Sequence, residues 1–288
     1  MDSTTVLILT TFFAAIVNGG LGYGFSSLTV PVALLFYTNR LLNPAMVLIE
    51  VGVNLYVLLM NRKNWRVLFK RVSPILIGLP FGVIVGSATL SSVRPEWIKL
   101  VTYILLLPLI LIQAAGIRRP LQDERRFGVP FGLGLGVLYA ITTISGPPLA
   151  LLFNNQGLVK HEFRAALGIV RTAESSMTAL AYGYLGLYSS ESLSLLYTVF
   201  PSVLIGMPIG FYLIRKMNAE TFRRICMTLD VWVVGWGLSR VLIGFGWIAP
   251  IAYSVMIGAL LIDTHLLYRF FSSRKFQEVP KLPMEQTS

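Results

Sequence analysis

Apolar runs close to 20 residues recur along this chain, and they constrain its fold more than any single motif. They span residues 44–60, 72–90, 97–115, 163–185, 193–214, 225–243 and 248–268. Each is close to the ~20 residues that a helix needs to cross ~30 Å of hydrocarbon. Hydrophobic residues make up 55% of the chain and charged residues only 13%, which is too little polar surface to cover a soluble globule. The sequence therefore predicts an all-α integral membrane protein, a polytopic helical bundle with at least seven crossings.

Two short sequences occur twice, which indicates that the chain consists of two related halves. Leu76-Ile-Gly-Leu-Pro-Phe-Gly82 returns as Leu204-Ile-Gly-Met-Pro-Ile-Gly210, and Pro31-Val-Ala-Leu-Leu-Phe36 returns as Pro148-Leu-Ala-Leu-Leu-Phe153. An internal repeat in a membrane protein is typical of a transporter with its site between two halves. We predict a first transmembrane repeat over 1–117, a second over 118–246, an additional C-terminal transmembrane helix over 247–271 and a cytoplasmic tail over 272–288.

Basic residues cluster at the predicted helix ends, and their positions predict the topology. The clusters lie at 62–71, 118–126, 215–224 and 269–281, and juxtamembrane Lys and Arg mark the cytoplasmic side. All four can lie inside only if residues 127 to about 158 enter and leave by the same face, so the second half begins with a hairpin. Residues 4–38 then form a matching hairpin entered from outside. The two repeats are therefore inverted, with the N-terminus outside and the C-terminus cytoplasmic, and the net charge of +11 reflects a membrane collar rather than a nucleic-acid surface.

The tips of the two hairpins are the best candidates for a substrate site. Asn18-Gly-Gly-Leu-Gly-Tyr-Gly24 and Thr142-Thr-Ile-Ser-Gly-Pro-Pro148 each separate apolar pieces of roughly 14 residues, too short to cross alone. Glycine and proline end helices, so we expect broken or re-entrant hairpins with new helices beginning near Phe25 and Pro147. Unpaired N–H groups at a helix N-terminus bind anions; close packing through small residues is the alternative. The candidate substrate-binding residues here are Asn18, Gly19, Gly20, Gly22, Tyr23, Gly24, Thr142, Thr143, Ser145, Gly146 and Pro147.

Ionisable residues inside the predicted helices add to this site. Arg171 lies seven residues in from Arg164, roughly 10 Å deeper along a helix. A charge at mid-bilayer costs ~2.5–3.5 kcal/mol, so it is normally paired or functional. A guanidinium can bind a sulfonate or carboxylate bidentately, which makes Arg171 a further substrate-binding candidate. The alternative is a structural ion pair with Glu50 or Glu174, and both readings can hold together. We therefore predict that Glu50, Asn54 and Glu174 act in coupling or ion pairing.

With these residues the chain resembles the sulfite exporter TauE/SafE family, also called the toluenesulfonate uptake permease family. The resemblance covers nearly the whole length. It is carried by the Gly-rich segment 19–24 leading to Pro31, and by Gly146-Pro147-Pro148 followed by the basic helix start Phe163-Arg164-Ala165. Ile144-Ser145 stands before Gly146, where the family more commonly has a double glycine. The resemblance implies a bacterial inner-membrane carrier of small sulfur-containing or organic anions, such as sulfite, sulfoacetate and other sulfonates.

We therefore predict a secondary transporter that moves a small anion by alternating access, with the lipid bilayer and a coupling proton or ion as further partners. The alternatives are an integral-membrane enzyme that acts on lipid head groups and a non-transporting scaffold. Against the enzyme, the chain has only two histidines, no Cys/His cluster and no nucleophile with an evident base. A scaffold would leave the broken hairpins unexplained. We predict no metal, because the lone Cys226 has no partner for a metal site. We also predict no cofactor and no nucleic-acid partner.

Overall fold

The computed structural model describes residues 2–61, 65–115, 124–154, 160–213 and 219–274, and these ranges contain eleven helices and no strand. Each predicted apolar run falls on one helix, so the all-α prediction is confirmed. The predicted tail lies outside the described residues beyond Arg274, as does the boundary at 117–118. The helices are α1 (Ser3–Leu21), α2 (Phe25–Ala33), α3 (Asn39–Met60), α4 (Trp65–Ser92), α5 (Pro95–Ala115), α6 (Glu124–Thr142), α7 (Gly146–Asn154), α8 (Lys160–Tyr184), α9 (Ser190–Leu213), α10 (Ala219–Gly244) and α11 (Ala249–Arg274).

Seven of the described helices are long and apolar enough to cross a membrane: α1, α3, α4, α5, α9, α10 and α11. This set differs from the predicted one at two helices. The Gly-rich segment predicts that the first helix ends before Asn18, but α1 continues through Gly19 and Gly20 and reaches 19 residues. These glycines stay helical because tertiary packing outweighs their propensity cost of ~1 kcal/mol each. Conversely, α8 is a helix of 25 residues but is not in the apolar set. It carries polar residues near its middle, namely Arg171, Glu174, Ser175 and Thr178.

The two copies of the repeated glycine motif make the same kind of contact. One copy lies on α4 and packs along α6, and the other lies on α9 and packs along α1. At each of the four motif glycines, an added Cβ would overlap a backbone carbonyl group of the facing helix. Corresponding glycines of the two copies are 128 residues apart in sequence, and the residues whose carbonyl groups they face are 117 residues apart. These are the spacings of the two sequence repeats. The contacts are Gly78 with Val129, Gly82 with Leu133, Gly206 with Phe12, and Gly210 with Ile16.

A methyl group at Gly210 should separate α1 from α9, because its Cβ would overlap the carbonyl oxygen of Ile16, which cannot turn aside. We expect Gly210→Ala to destabilise the protein by ~1–3 kcal/mol, the usual cost of overpacking. The measurement is the melting temperature of the purified protein in detergent. Gly134→Ala on α6 is the matched control, since no atom lies within 4 Å of its added Cβ, and it should be neutral or stabilising. Equal melting temperatures for the two variants would contradict this packing.

Two short helices of nine residues, α2 and α7, follow breaks in the chain. Each is about 13 Å long, so neither can cross a bilayer. The first break contains Gly22 and Gly24 in the left-handed conformation (φ 86° and 109°), and the second contains Thr143 (φ 58°). The predicted helix starts near Phe25 and Pro147 are confirmed.

The breaks lie where the two main apolar clusters of the bundle meet. The larger cluster is formed mainly by α1, α2, α3, α5, α9 and α10, and includes Phe25 and Ile144. The second is formed mainly by α4, α6, α7 and α8, and includes Tyr23 and Leu149. Each break thus contributes residues to both clusters, which holds the non-helical backbone in the protein interior.

Candidate functional site

The two helix breaks meet in the interior of the bundle. Helix α2 contacts α7, and the Tyr23 ring lies 3.2 Å from where a Cβ of Gly146 would stand. On its other side Tyr23 packs edge-on against Phe163, with ring centroids 6.3 Å apart. All eleven residues predicted at the tips are buried. Segments more than 100 residues apart in sequence are therefore brought together.

Threonine side chains support the strained backbone of the second break. Thr143 is the one non-glycine residue with positive φ in the described part of the chain, and a β-branched residue in that conformation is an outlier that costs ~1–2 kcal/mol. The Thr143 hydroxyl donates to the carbonyl of Thr142 at 2.7 Å, and the Ile144 N–H donates to the Thr142 hydroxyl at 3.1 Å. Such strain is retained mostly at functional sites.

Arg171 lies at the first break and forms a buried ion pair with Glu50. Its Nη2 donates to Glu50 Oε1 at 2.7 Å, and the side chains are 2% and 0% exposed. Its Nη1 faces Asn18 Oδ1 at 3.3 Å and the Gly22 carbonyl at 3.5 Å. The remaining donor, Nε, is buried and has no hydrogen-bond partner among the described residues. The guanidinium therefore joins α8 to α3 and to the first break, and one of its N–H groups is still unused.

Glu50 accepts hydrogen bonds from three different helices. In addition to Arg171 on α8, the Ser26 hydroxyl at the start of α2 donates to Oε1. The phenol of Tyr139 on α6 donates to Oε2 at 2.6 Å. Tyr139 was not among the residues predicted from the sequence, because a single tyrosine in a largely apolar helix gives no signal of its own. Three donors, one of them charged, therefore surround the buried Glu50 side chain.

Glu174 has a similar hydroxyl partner but lacks an arginine of its own. It is fully buried and lies three residues after Arg171 on α8. The Ser145 hydroxyl at the second break donates to its Oε2 at 2.6 Å. Its Oε1 is buried without a hydrogen-bond partner among the described residues. Each break thus provides a serine for a buried glutamate, while Arg171 pairs with Glu50.

Asn54 and Arg164 hold the backbone around these charges. The Asn54 amide donates to the Arg171 carbonyl at 3.3 Å and faces the Ser175 hydroxyl at 3.5 Å, so it ties α3 to α8 and does not contact the guanidinium. Arg164 Nη2 donates to the Gly19 carbonyl at 2.6 Å, and its guanidinium lies 5.6 Å from the centroid of the Phe211 ring. Arg164 therefore connects α8 to both α1 and α9.

The two serines at the start of α2 make different hydrogen bonds. Ser26 donates to Glu50 on α3, whereas the hydroxyl of the next residue, Ser27, donates to the Gly24 carbonyl at 3.2 Å. Consecutive residues on a helix point about 100° apart, so the two hydroxyls lie on different sides of α2. Ser26 therefore joins α2 to α3, and Ser27 stabilises the start of α2.

The charges at the centre of the site suit competition between anions for one guanidinium. Arg171 carries one positive charge, and Glu50 and Glu174 together carry two negative charges when both are ionised. A further anion can bind only if it displaces a carboxylate from Arg171 or if a proton neutralises one of them. The described residues contain no group of three or more His, Cys, Asp or Glu side chains that could hold a metal ion.

Comparison with known proteins gives one match. The family model described as Sulfite exporter TauE/SafE matches residues 7–236. This range contains both helix breaks and every residue of the site described above. A search of curated proteins and a search of solved structures found no match.

Proposed function

Because the chain belongs to the sulfite exporter TauE/SafE family and is a multi-pass membrane protein, we propose that it moves small sulfur-containing or organic anions by alternating access. Sulfite, sulfoacetate and other sulfonates are the proposed substrates, and the bacterial inner membrane is the proposed location. One observation carries this proposal: the guanidinium of Arg171 lies buried at a helix break with one N–H unused. A purely structural ion pair does not require a break in the helix beside it.

The anion binds at Arg171 by replacing the carboxylate of Glu50. A sulfonate presents two oxygens at the spacing of the guanidinium fork, so it can accept two parallel hydrogen bonds. The first N–H groups of α2 and the Gly146 N–H of α7, whose next two residues are prolines without an N–H, lie at the same breaks and add the positive ends of their helix dipoles. The Asn18 amide provides a further polar contact, and the hydroxyls of Thr142, Thr143 and Ser145 can donate to the anion once they release the oxygens to which they now donate. When the anion leaves, Glu50 returns to Arg171, and the site is neutralised again.

Two inverted repeats provide the alternating-access framework. The packing of the helices supports this, because the main contacts between the halves recur with the halves exchanged: α4 with α6 recurs as α9 with α1, α4 with α8 as α9 with α3, and α2 with α10 as α7 with α5. The pairs α3–α8 and α5–α10 lie on the proposed two-fold axis. Residues 1–117 and 118–246 are the proposed repeats, and α11 is an addition. In such transporters the halves rock around a fixed central site.

A proton on Glu174 couples the anion to the proton gradient. With Glu50 and Glu174 both ionised, the three central charges sum to −1, and this repels an incoming anion. Protonated Glu174 makes the sum zero, so anion and proton bind together. Buried ionisable groups in membrane proteins commonly serve in such relays. Its unpartnered Oε1 is where the proton would reside.

The topology of the proposed repeats is tested by the location of the chain ends. We expect a cysteine at Ser3 to react with a membrane-impermeant reagent from outside and a cysteine at Ser273 only from inside, because the basic clusters mark the cytoplasmic face. Both variants would be made in a Cys226→Ala background, which removes the one native cysteine. Labelling of both positions from the same face would contradict the inverted hairpins.

Flux into proteoliposomes tests the transport function. Radiolabelled sulfite, a sulfonate, sulfate and a short carboxylate would be measured separately, each with and without a proton gradient. We expect saturable flux of sulfite or a sulfonate, with sulfate and the carboxylate as competitors of graded strength. An enzyme acting on lipid head groups would instead give chemical turnover in detergent, with no vesicle required. Turnover without flux would overturn the proposal.

A further inference from the structure

A cavity that is separate from the site at Arg171 lies where α5 begins and α10 ends. Its volume is about 600 Å³, within the range of ~300–1,000 Å³ typical of small-molecule sites. The segment that follows α2, the first turns of α5 and the last turns of α10 form its wall. From its lining we infer that this cavity binds an organic anion with an apolar or aromatic body, an inference that goes beyond the proposed transport function.

The lining of the cavity is strongly basic. It contains Arg94, Lys99 and Arg240 and a single carboxylate, Glu96. The contact between Arg94 Nε and Glu96 Oε2 is 4.0 Å long, and the two side chains are 83% and 65% exposed. Such an exposed pair contributes little, and three cations with one carboxylate leave the lining with an excess of positive charge. Lys99 is partly buried at the wall and Arg240 is exposed, so both can contact an anionic group in the cavity.

Aromatic rings provide the apolar part of the same wall. Trp97 and Phe245 pack with ring centroids 4.8 Å apart, which joins the start of α5 to the turn after α10. Trp236 also lines the cavity and is 43% exposed. An aromatic belt with nearby basic residues is expected at any membrane–water boundary. A belt alone, however, does not require that three cations and two tryptophans line one concavity.

The cavity also contacts the helix that carries Ser26. Tyr103 forms part of the wall, and its hydroxyl donates to the carbonyl of Pro31 on α2 at 2.7 Å. Pro31 lies five residues after Ser26 on that helix, about 7 Å away along its axis. Tyr103 therefore connects the wall of the cavity to the helix whose other end contacts Glu50.

The anion could come from the aqueous phase or from a phospholipid head group, and two arms of one experiment separate these sources. In the first arm, para-nitrobenzenesulfonate is added to the protein in phosphatidylcholine nanodiscs, and quenching of tryptophan fluorescence is measured. Neutral para-nitrobenzenesulfonamide is the matched control for non-specific quenching. In the second arm, the nanodiscs contain increasing fractions of phosphatidylglycerol with brominated acyl chains, compared with brominated phosphatidylcholine.

We expect saturable quenching by an anionic probe in at least one arm, and this quenching should be lost in Trp97→Phe/Trp236→Phe. Lys99→Gln/Arg240→Gln should weaken it roughly 30-fold, since each of the two lost charges removes about 1 kcal/mol of attraction at contact distance and about 1.4 kcal/mol is a factor of ten. Lys70→Gln, an exposed residue on α4, is the control and should have no effect. Saturation by the sulfonate indicates a soluble ligand, and saturation by phosphatidylglycerol alone indicates a head group.

Three results would overturn the inference. One is quenching that is equal for charged and neutral probes in both arms. Another is quenching that survives Lys99→Gln/Arg240→Gln while the melting temperature shows that the variant is folded. A third is loss of quenching in Arg171→Lys, which would place the signal at the central site. Normal quenching in Arg171→Lys together with lost transport keeps the two sites distinct.

Discussion

Replacement of Arg171 by lysine should weaken anion binding by roughly 10- to 100-fold while the protein remains folded. Lysine keeps the positive charge beside Glu50, so no buried carboxylate is left without a cation. It cannot form two parallel hydrogen bonds to a sulfonate, and one charge-assisted hydrogen bond contributes about 1.5–3 kcal/mol. The measurements are flux in proteoliposomes and the melting temperature of the purified variant. Arg269→Lys, at an exposed position on α11, is the matched control and should transport normally.

Arg171→Ala separates loss of binding from loss of folding. It leaves Glu50 buried without a cation, which typically costs ~3–5 kcal/mol, so poor expression of this variant alone decides nothing. The double variant Arg171→Ala/Glu50→Gln removes both charges, and we expect it to recover stability without recovering transport. If Arg171→Lys transports like the wild type and Arg171→Ala fails only by misfolding, Arg171 is structural and the anion is held by the N–H groups at the breaks alone.

The sequence indicated the members of this charged cluster but not their pairing. Arg171 could meet Glu174 three residues along the same helix or Glu50 on a distant one, and both positions read equally well as polar faces. The structure places Glu50 at 2.7 Å from Arg171 and gives Glu174 the Ser145 hydroxyl instead. Such a choice depends on how α3 and α8 pack together, and helical periodicity contains no information on that packing.

The first helix break shows where local propensity misleads. Four glycines between Asn18 and Gly24 suggested that the helix ends at once, yet it ends only at Gly22, where φ becomes positive. Gly19 lies directly against the carbonyl of Met207 on α9, so it is glycine because the helices approach closely there. The Gly-rich segment therefore combines the two predicted roles, packing in its first part and a break in its second.

Tyr139 was missed because a lone phenol in an apolar helix has no pattern to reveal its contact with Glu50.

Replacement of Glu174 by glutamine should remove the dependence of transport on the proton gradient while exchange of anions continues. Glutamine has the shape of a protonated glutamate, and its carbonyl oxygen can still accept the hydrogen bond from Ser145. The charges of Arg171 and Glu50 then sum to zero without a proton on residue 174, so the anion no longer needs a proton to enter. In the wild type, flux with a gradient of one pH unit should exceed flux without it roughly tenfold or more, the effect of one proton over a unit of pH. In the variant we expect this ratio to fall to about one.

The surroundings of Glu174 make it the group whose charge should change. From the elements packed around it, the facing titratable groups are Arg171 on its own helix, Glu50 on α3 and Tyr139 on α6. Lys70 and Arg71, on α4, are exposed. Arg171 already pairs with Glu50, so Glu174 shares that positive charge and has no cation of its own. Because protonation of Glu174 removes a negative charge from the site, the affinity of the wild type for the anion should rise as the pH falls.

Glu191→Gln, at an exposed position on α9, is the matched control for this change and should keep the full gradient dependence. Anion exchange at equal pH on both sides checks that Glu174→Gln still binds substrate, and its melting temperature checks that it folds. A folded Glu174→Gln variant that still needs the gradient would show that the proton binds elsewhere. Loss of both exchange and gradient-driven flux would instead show that Glu174 contacts the anion itself, because a group that only carries the proton is not required when anions exchange without net proton movement.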